Sequence, residues 1–228
     1  MNYIIDGLKE ALKIIFTMDK EFISIVGVSL RTSFIAILLA GIFGIPLGTW
    51  VGIGKFRGRG FMATILNTLV SLPTVVVGLT FYSLLSRRGP LGELGILFTP
   101  AAMIIGQFVL ALPLVAAFSM GGVRNLGDRP FIAARLLGAG TLRSSILFFK
   151  EARFIVMTSM IAGFGRVFSE VGVSMMLGGN IRFYTRNITT SIALESSRGA
   201  FSLGIALGII LLMIAFVINL TLYYFQSK

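Results

Sequence analysis

Few residues in this chain are equipped for chemistry. The sequence holds no His and no Cys, so thiolate nucleophiles, the usual zinc sites and the commonest general base are all missing. Five of the nine carboxylates, Asp6, Glu10, Asp19, Glu21 and Glu93, fall in outer segments, so no acid pair assembles inside the apolar part. What remains is one charged couple, Arg166 and Glu170 in GFGRVFSEVG (163–172), within a stretch that stays apolar from 154 to 179. Four residues apart, the two side chains are expected to share a helix face and pair. A charge at the centre of a bilayer-spanning helix costs roughly 2.5–3.5 kcal/mol on insertion scales, so such groups pair, meet water or mark a path. Two readings are open: a salt bridge that locks the span against its neighbours, or an Arg166 that attracts an anion. Arg before Glu is the weaker order for a local pair, which points one of them towards another span or a polar cavity.

The elements that must position this couple are membrane helices. Of 228 residues, 56% are hydrophobic and 13% charged, with a mean hydropathy of +0.93; soluble domains run near a quarter charged. A crossing takes about 20 apolar residues. Five segments meet that length: 23–53, 61–85, 96–120, 154–179 and 201–224. Residues 21–228 therefore read as a single all-α transmembrane domain with no room for a sizeable soluble one. Residues 1–20 read as an amphipathic helix on the membrane or on the protein, with Ile4, Ile5, Leu8, Ala11, Leu12 and Ile15 at helical spacing. The formal charge of +11 belongs to loop Lys and Arg facing anionic headgroups, and no basic folded surface for nucleic acid is visible.

Polar groups inside the spans are few. Pro73 in SLPTVVVG should kink the second segment. Pro73, Thr74 and Ser169, with Thr80 and Ser174, either line a path or, for the hydroxyls, bond back to their own helices. Gly178, Gly179 and Asn180 close the fourth segment, as a glycine-reversed C-cap or as an outer gate.

The longest interruption, 121–153, carries six Lys and Arg. Within it, RPFIAARLLGAGTLRSSILFFKEAR reads as two short helical pieces about a turn at Gly138 and Gly140. Ala133, Ala134 and Leu137 lie close together on one face, open to another protein's surface or to lipid. Five crossings put the termini on opposite sides. With 121–153 in the cytoplasm, ten basic residues lie inside against eight outside, which sets the N-terminus outside and the C-terminus in the cytoplasm.

IAARLLGAG (132–140) resembles the cytoplasmic EAA loop of ABC importer permeases, with Ile132 where that pattern has Glu. RTSFIAILLAGIFGIPLGTWVGI, SLPTVVVGLTFYSLLSRRGPLGELG, LALPLVAAFS and GRVFSEVGVSMMLGGNIRFYTRNITTSIALE then resemble, in order, the permeases for molybdate, sulfate and tungstate. The last block is most similar to the tungstate type. The resemblance implies the type I importer fold, with five transmembrane helices and a coupling helix whose Ala133, Ala134, Arg135, Gly138 and Gly140 dock an ATP-binding subunit. It further implies a homodimer with the path between its copies, alternating access, an extracytoplasmic oxyanion-binding protein and a place in the prokaryotic inner membrane.

No G-x-x-x-x-G-K-[ST] occurs in the chain. ATP and magnesium are therefore expected on the partner, leaving this chain a transport subunit with no cofactor and no enzymatic activity of its own. The anion implied is tungstate, with molybdate or sulfate as the alternative. From a different class, an ATP-independent channel or secondary transporter remains open, although no inverted repeat is visible to favour it.

Overall fold

In a bilayer, lipid tails are as apolar as Leu, so helices associate by close packing rather than by hydrophobic exclusion. The computed structural model describes residues 3–127, 129–138 and 140–226, and all their regular structure is helical. Its frame is a contact between α2 (Lys20–Ile53) and α5 (Pro100–Leu126). Along α2, Thr32, Ala36, Ala40, Gly44, Gly48 and Gly52 recur at every fourth position and all are buried. That spacing draws a nearly straight stripe of small residues on one helix face. A Cβ added at Gly44 would stand 3.1 Å from the Leu112 carbonyl oxygen, and one at Gly52 3.1 Å from that of Met120. At Gly48 it would overlap the Ala116 carbonyl. The partners advance with the stripe, so α2 and α5 run in the same direction, backbone against backbone.

The helix α7 (Thr141–Phe168) returns across both. Ser119 and Ser159 hydroxyls meet at 3.2 Å, Gly122 faces Ile155, and Gly163 faces Ile37 and Val115, so α7 is antiparallel to α5. Buried Ile37, Ala40, Ala111, Val115, Val167 and Leu207 fill the space between these helices and α10 (Phe201–Gln226).

Two other crossings are broken. The helices α3 (Arg59–Val70) and α4 (Thr74–Leu85) meet at 92°, and α7 meets α8 (Gly172–Gly178) at 60°. Among the described residues, α2, α5 and α10 are each long and apolar enough to cross a bilayer, and five units do so when each bent pair counts as one.

Two further elements lie at the ends. The N-terminal α1 (Tyr3–Thr17) packs Gly7 and Ala11 onto α10, with Gly7 against Ile205 and the Tyr3 ring edge-on to Phe201 at 5.6 Å. Its Leu8, Leu12 and Phe16 remain exposed. The ten-residue α9 (Ile188–Ser197) is closed by a capping box in which the Asn187 side chain accepts from Thr190 N–H at 2.8 Å.

The stretch expected as a polar interruption, 121–153, is largely helix. From Pro100, α5 continues to Leu126, and α7 begins at Thr141. The reason is that Val123 and Ala152 still bury against each other's helices while Arg124 and Glu151 stay on the exposed faces. Between them, among the described residues, lies α6 (Arg129–Leu136), which packs against α7.

Replacing Gly48 by Leu forces α2 off α5 and is expected to lower the thermal midpoint of the detergent-solubilised protein by an amount equivalent to about 1–3 kcal/mol or more. Gly27→Leu on the same helix, where nothing stands within 4 Å of the added Cβ, should leave the midpoint nearly unchanged. Equal effects at the two positions would refute the stripe as the frame.

Candidate functional site

Each break has a local cause. At the end of α3, Ser71 and Leu72 N–H groups fall back on Thr68 and Leu69 carbonyls at 3.0 and 3.2 Å, a tightened last turn. Pro73 follows, without an N–H and with a ring that pushes Leu72 out of the helical region. The Pro73 carbonyl then accepts from Val76 and Val77 N–H groups at 3.0 and 3.2 Å and starts α4 in a new direction. No side chain caps that N-terminus.

At the end of α7, the Ser169 hydroxyl donates to the Gly165 carbonyl at 2.8 Å. Glu170 then turns out of the helix, and its Oε1 accepts from the Val173 N–H at 3.0 Å. A carboxylate at a helix start satisfies an orphan donor and meets the positive end of the helix dipole, so Glu170 is what restarts the chain as α8. The helix that Arg166 and Glu170 were expected to share therefore ends between them, at Phe168. They still approach, Arg166 Nη1 to Glu170 Oε2 at 3.7 Å, with the Arg166 side chain 37% exposed and that of Glu170 4%. Glu170 also reaches a third element: its carbonyl accepts from the Thr189 hydroxyl of α9 at 2.8 Å.

The two breaks are neighbours. A Cβ on Gly172 would stand 3.1 Å from Thr74 Oγ1 and 3.3 Å from Glu170 Oε1. Pro73, Thr74, Arg166, Ser169 and Glu170 thus form one cluster, drawn from two crossings far apart in sequence. Pro73, Val75, Val76, Ser169 and Val171 leave its outer side uncovered.

Gly178, Gly179 and Asn180 lie elsewhere, at the far end of α8. Gly179 adopts φ +68° as the C-cap, with its N–H on the Met175 carbonyl, and Asn180 follows at φ +51°. The Phe98 ring covers Gly179, the Phe98 N–H donates to Leu177 at 2.8 Å, and the Thr185 hydroxyl donates to the Gly178 carbonyl. The Asn180 Oδ1 is buried without a partner. Beyond this turn Arg182 and Arg186 both bind Glu21 in the first turn of α2, Arg186 at 3.0 Å. Both guanidiniums therefore hold one carboxylate of the same chain. The carboxylate hydrogen-bonded to Arg182 raises that group's pKa above its ordinary value.

The remaining expected site is α6. Ala133 is exposed, and so are Gly138, at φ +79°, and Gly140. Ala134 is 3% exposed on an element that packs against α7, while Leu136 and Leu137 are 83% and 87% exposed. Ala134 is therefore turned inward, and the exposed apolar surface of the segment is made by Ile132, Ala133, Leu136 and Leu137. The side chain of Arg135 lies outside the described residues, as do Asp128 and Ala139.

The chain has relatives among known proteins. A family model for the binding-protein-dependent transport system inner membrane component matches residues 44–228. The chain belongs to that family. The permease is 42% identical over 219 residues, 96% of its length and 92% of the relative's, to the tungstate uptake system permease protein TupB of Campylobacter jejuni. It is 40% identical to the TupB protein of Peptoclostridium acidaminophilum over the full length of both chains. The molybdenum transport system permease protein ModB of Azotobacter vinelandii is more distant, at 26% over 77% of the permease and 81% of that protein. In structure, the permease matches a chain of the MetNI methionine ABC transporter with a TM-score of 0.73, over 91% of its own length and 95% of that chain, at 16% identity. Its fold is that of a type I ABC importer permease.

Three contributors escaped sequence reasoning. Gln107 of α5 is 1% exposed and donates to Ser174 of α8 at 3.3 Å; a lone Gln in an apolar span was the available signal. Thr189 and Glu21 carried none, because their partners lie 19 residues away in one case and 161 and 165 in the other. Glu170→Ala removes both the cap on α8 and the partner of Arg166, whereas Glu170→Gln keeps an oxygen for the Val173 N–H. Thermal unfolding should therefore show Ala the more damaging by about 1–2 kcal/mol. Equal losses would assign the role of Glu170 to its charge alone.

Proposed function

We propose that two copies of the permease form the transmembrane path of an ATP-driven importer for tungstate or a related tetrahedral oxyanion. The observation that carries this reading is the 40–42% identity, along 96–100% of the chain, to two proteins named as tungstate uptake permeases. Molybdate is the nearest alternative cargo, in keeping with the more distant likeness to ModB.

The geometry supports it in three ways. The uncovered side of the two breaks is a surface that a second copy would face across a path. Along it, a dianion would meet Ser169 and Thr74, the uncapped start of α4 with its free N–H groups, and an Arg166 already opposed by Glu170. A lone guanidinium would hold a dianion too tightly to release it; the carboxylate 3.7 Å away weakens that hold enough for passage. Third, α6 packs against α7 and leaves Leu136 and Leu137 exposed, where a separate ATP-binding subunit would dock. Closure of that subunit would pull on α7 directly, and α7 ends at the 60° break. Substrate would arrive at the opposite end from an extracytoplasmic binding protein, with the N-terminus on that side of the inner membrane.

Vesicles holding the permease with its ATP-binding subunit and binding protein should take up tungstate only with ATP. Uptake that persists without the ATP-binding subunit would support an ATP-independent channel or secondary transporter and refute the importer. In the same vesicles Gly138→Val, which strains a φ of +79° in a turn with open space around it, should leave ATP hydrolysis running while uptake falls by at least about tenfold. Uptake and hydrolysis falling together would place Gly138 outside the coupling.

A further inference from the structure

At the end of the molecule opposite α6, a cleft of about 480 Å³ opens between α1, the first turns of α2, the turn after α8, α9 and the start of α10. That size is within the range of small-molecule sites, about 300–1,000 Å³. Its walls carry four carboxylates, Glu10, Asp19, Glu21 and Glu195, and three guanidiniums, Arg182, Arg186 and Arg198. Lys13 stands 3.6 Å from Glu10 at the rim, so the two signs balance. Its floor is apolar: Ile14 of α1, Phe22 and Ile25 of α2, Leu203 and Leu207 of α10.

We propose that this cleft holds the headgroup of a zwitterionic phospholipid bearing an ammonium group, with the acyl chains running down beside α1 and α10. A balanced, two-signed wall gives no net attraction to a free dianion or a simple cation, but it meets both ends of a zwitterion. Arg182 and Arg198 each bind a single carboxylate, Glu21 and Glu195, and remain 60% and 59% exposed. A guanidinium has five N–H donors, so each keeps donors for a phosphodiester. Glu10, 40% exposed on the other wall, is the acceptor for the ammonium group.

The level in the membrane agrees. With 34 residues, α2 is about 51 Å long against a hydrocarbon core of about 30 Å, so its first turns stand at headgroup height. Leu8, Leu12 and Phe16 of α1 are exposed and offer apolar surface to the acyl chains. The lipid would fill the space left between α1, the start of α2 and α9, beside the apolar clusters that hold Ile14 with Phe22 and Ile25 with Ile188.

Native mass spectrometry of the permease purified with its ATP-binding subunit tests this. Phosphatidylethanolamine added in detergent should be retained about tenfold more than phosphatidylglycerol of the same chains, and glycerophosphoethanolamine, the same headgroup without chains, should not be retained. The double variant Glu10→Gln with Arg198→Gln should lose about tenfold of the phosphatidylethanolamine signal. Leu203→Trp, which fills the floor and spares every charge, should lose it too. Equal retention of the two lipids, or unchanged retention in both variants, would overturn the proposal. Retention of glycerophosphoethanolamine to the same extent would overturn the lipid as occupant and leave a soluble zwitterion.

Discussion

The approach of α2 to α5 is the constraint on which the rest of the molecule depends. A helix pair in lipid is held by the closeness of its backbones, and the stripe from Thr32 to Gly52 sets that closeness at every fourth residue. Small residues recur wherever another element joins the frame: Gly41 against Met160 and Gly163 against Val115 for α7, Gly106 against Val173 and Leu177 for α8, Gly78 against Met176 for α4. The broken elements therefore hang on an unbroken pair, α4 on α8, and α8 on α5.

That arrangement separates an unbroken part from two broken ones. The α2–α5 contact is set by main-chain carbonyls, those of Leu112, Ala116 and Met120. The breaks differ. At Pro73 and at Glu170 the helical hydrogen bonds are already interrupted, and the new helix starts are held by a few polar contacts: the Pro73 carbonyl, the Glu170 carboxylate on Val173, the Thr189 hydroxyl on Glu170. The apolar side of α8 is nonetheless packed, with Val173 and Leu177 buried in one cluster with Val77, Ala102 and Leu110; the movement that the proposed function requires would exchange both the polar contacts and this packing.

Much of the architecture was legible in the sequence. The apolar runs placed the crossings, Pro73 marked one break, and Gly178–Asn180 marked the end of α8. The second break was hidden, because GFGRVFSEVG has no proline and its Arg and Glu suit a continuous helix face. It arises from tertiary context: the Glu170 carboxylate caps a new helix while Thr189 of α9 holds its backbone. The extent of α5 and α7 was hidden for a related reason. Arg124 and Glu151 read as loop, yet Val123 and Ala152 between them keep a buried seam. At the site, the cluster of Pro73 and Thr74 with Arg166, Ser169 and Glu170 joins residues nearly a hundred positions apart, a separation that periodicity does not bridge.

On the proposed function, the uncovered face of the two breaks lines a path between two copies and moves when the ATP-binding subunit closes. A spin label at Val171, 38% exposed on that face, reports this directly in the reconstituted complex. The account predicts a single distance between the labels of two copies in the resting state, shifting by at least about 5 Å, the scale of a one-turn displacement, when a non-hydrolysable ATP analogue is added. A distance that does not change with nucleotide, or the absence of any dipolar coupling between labels, would contradict it.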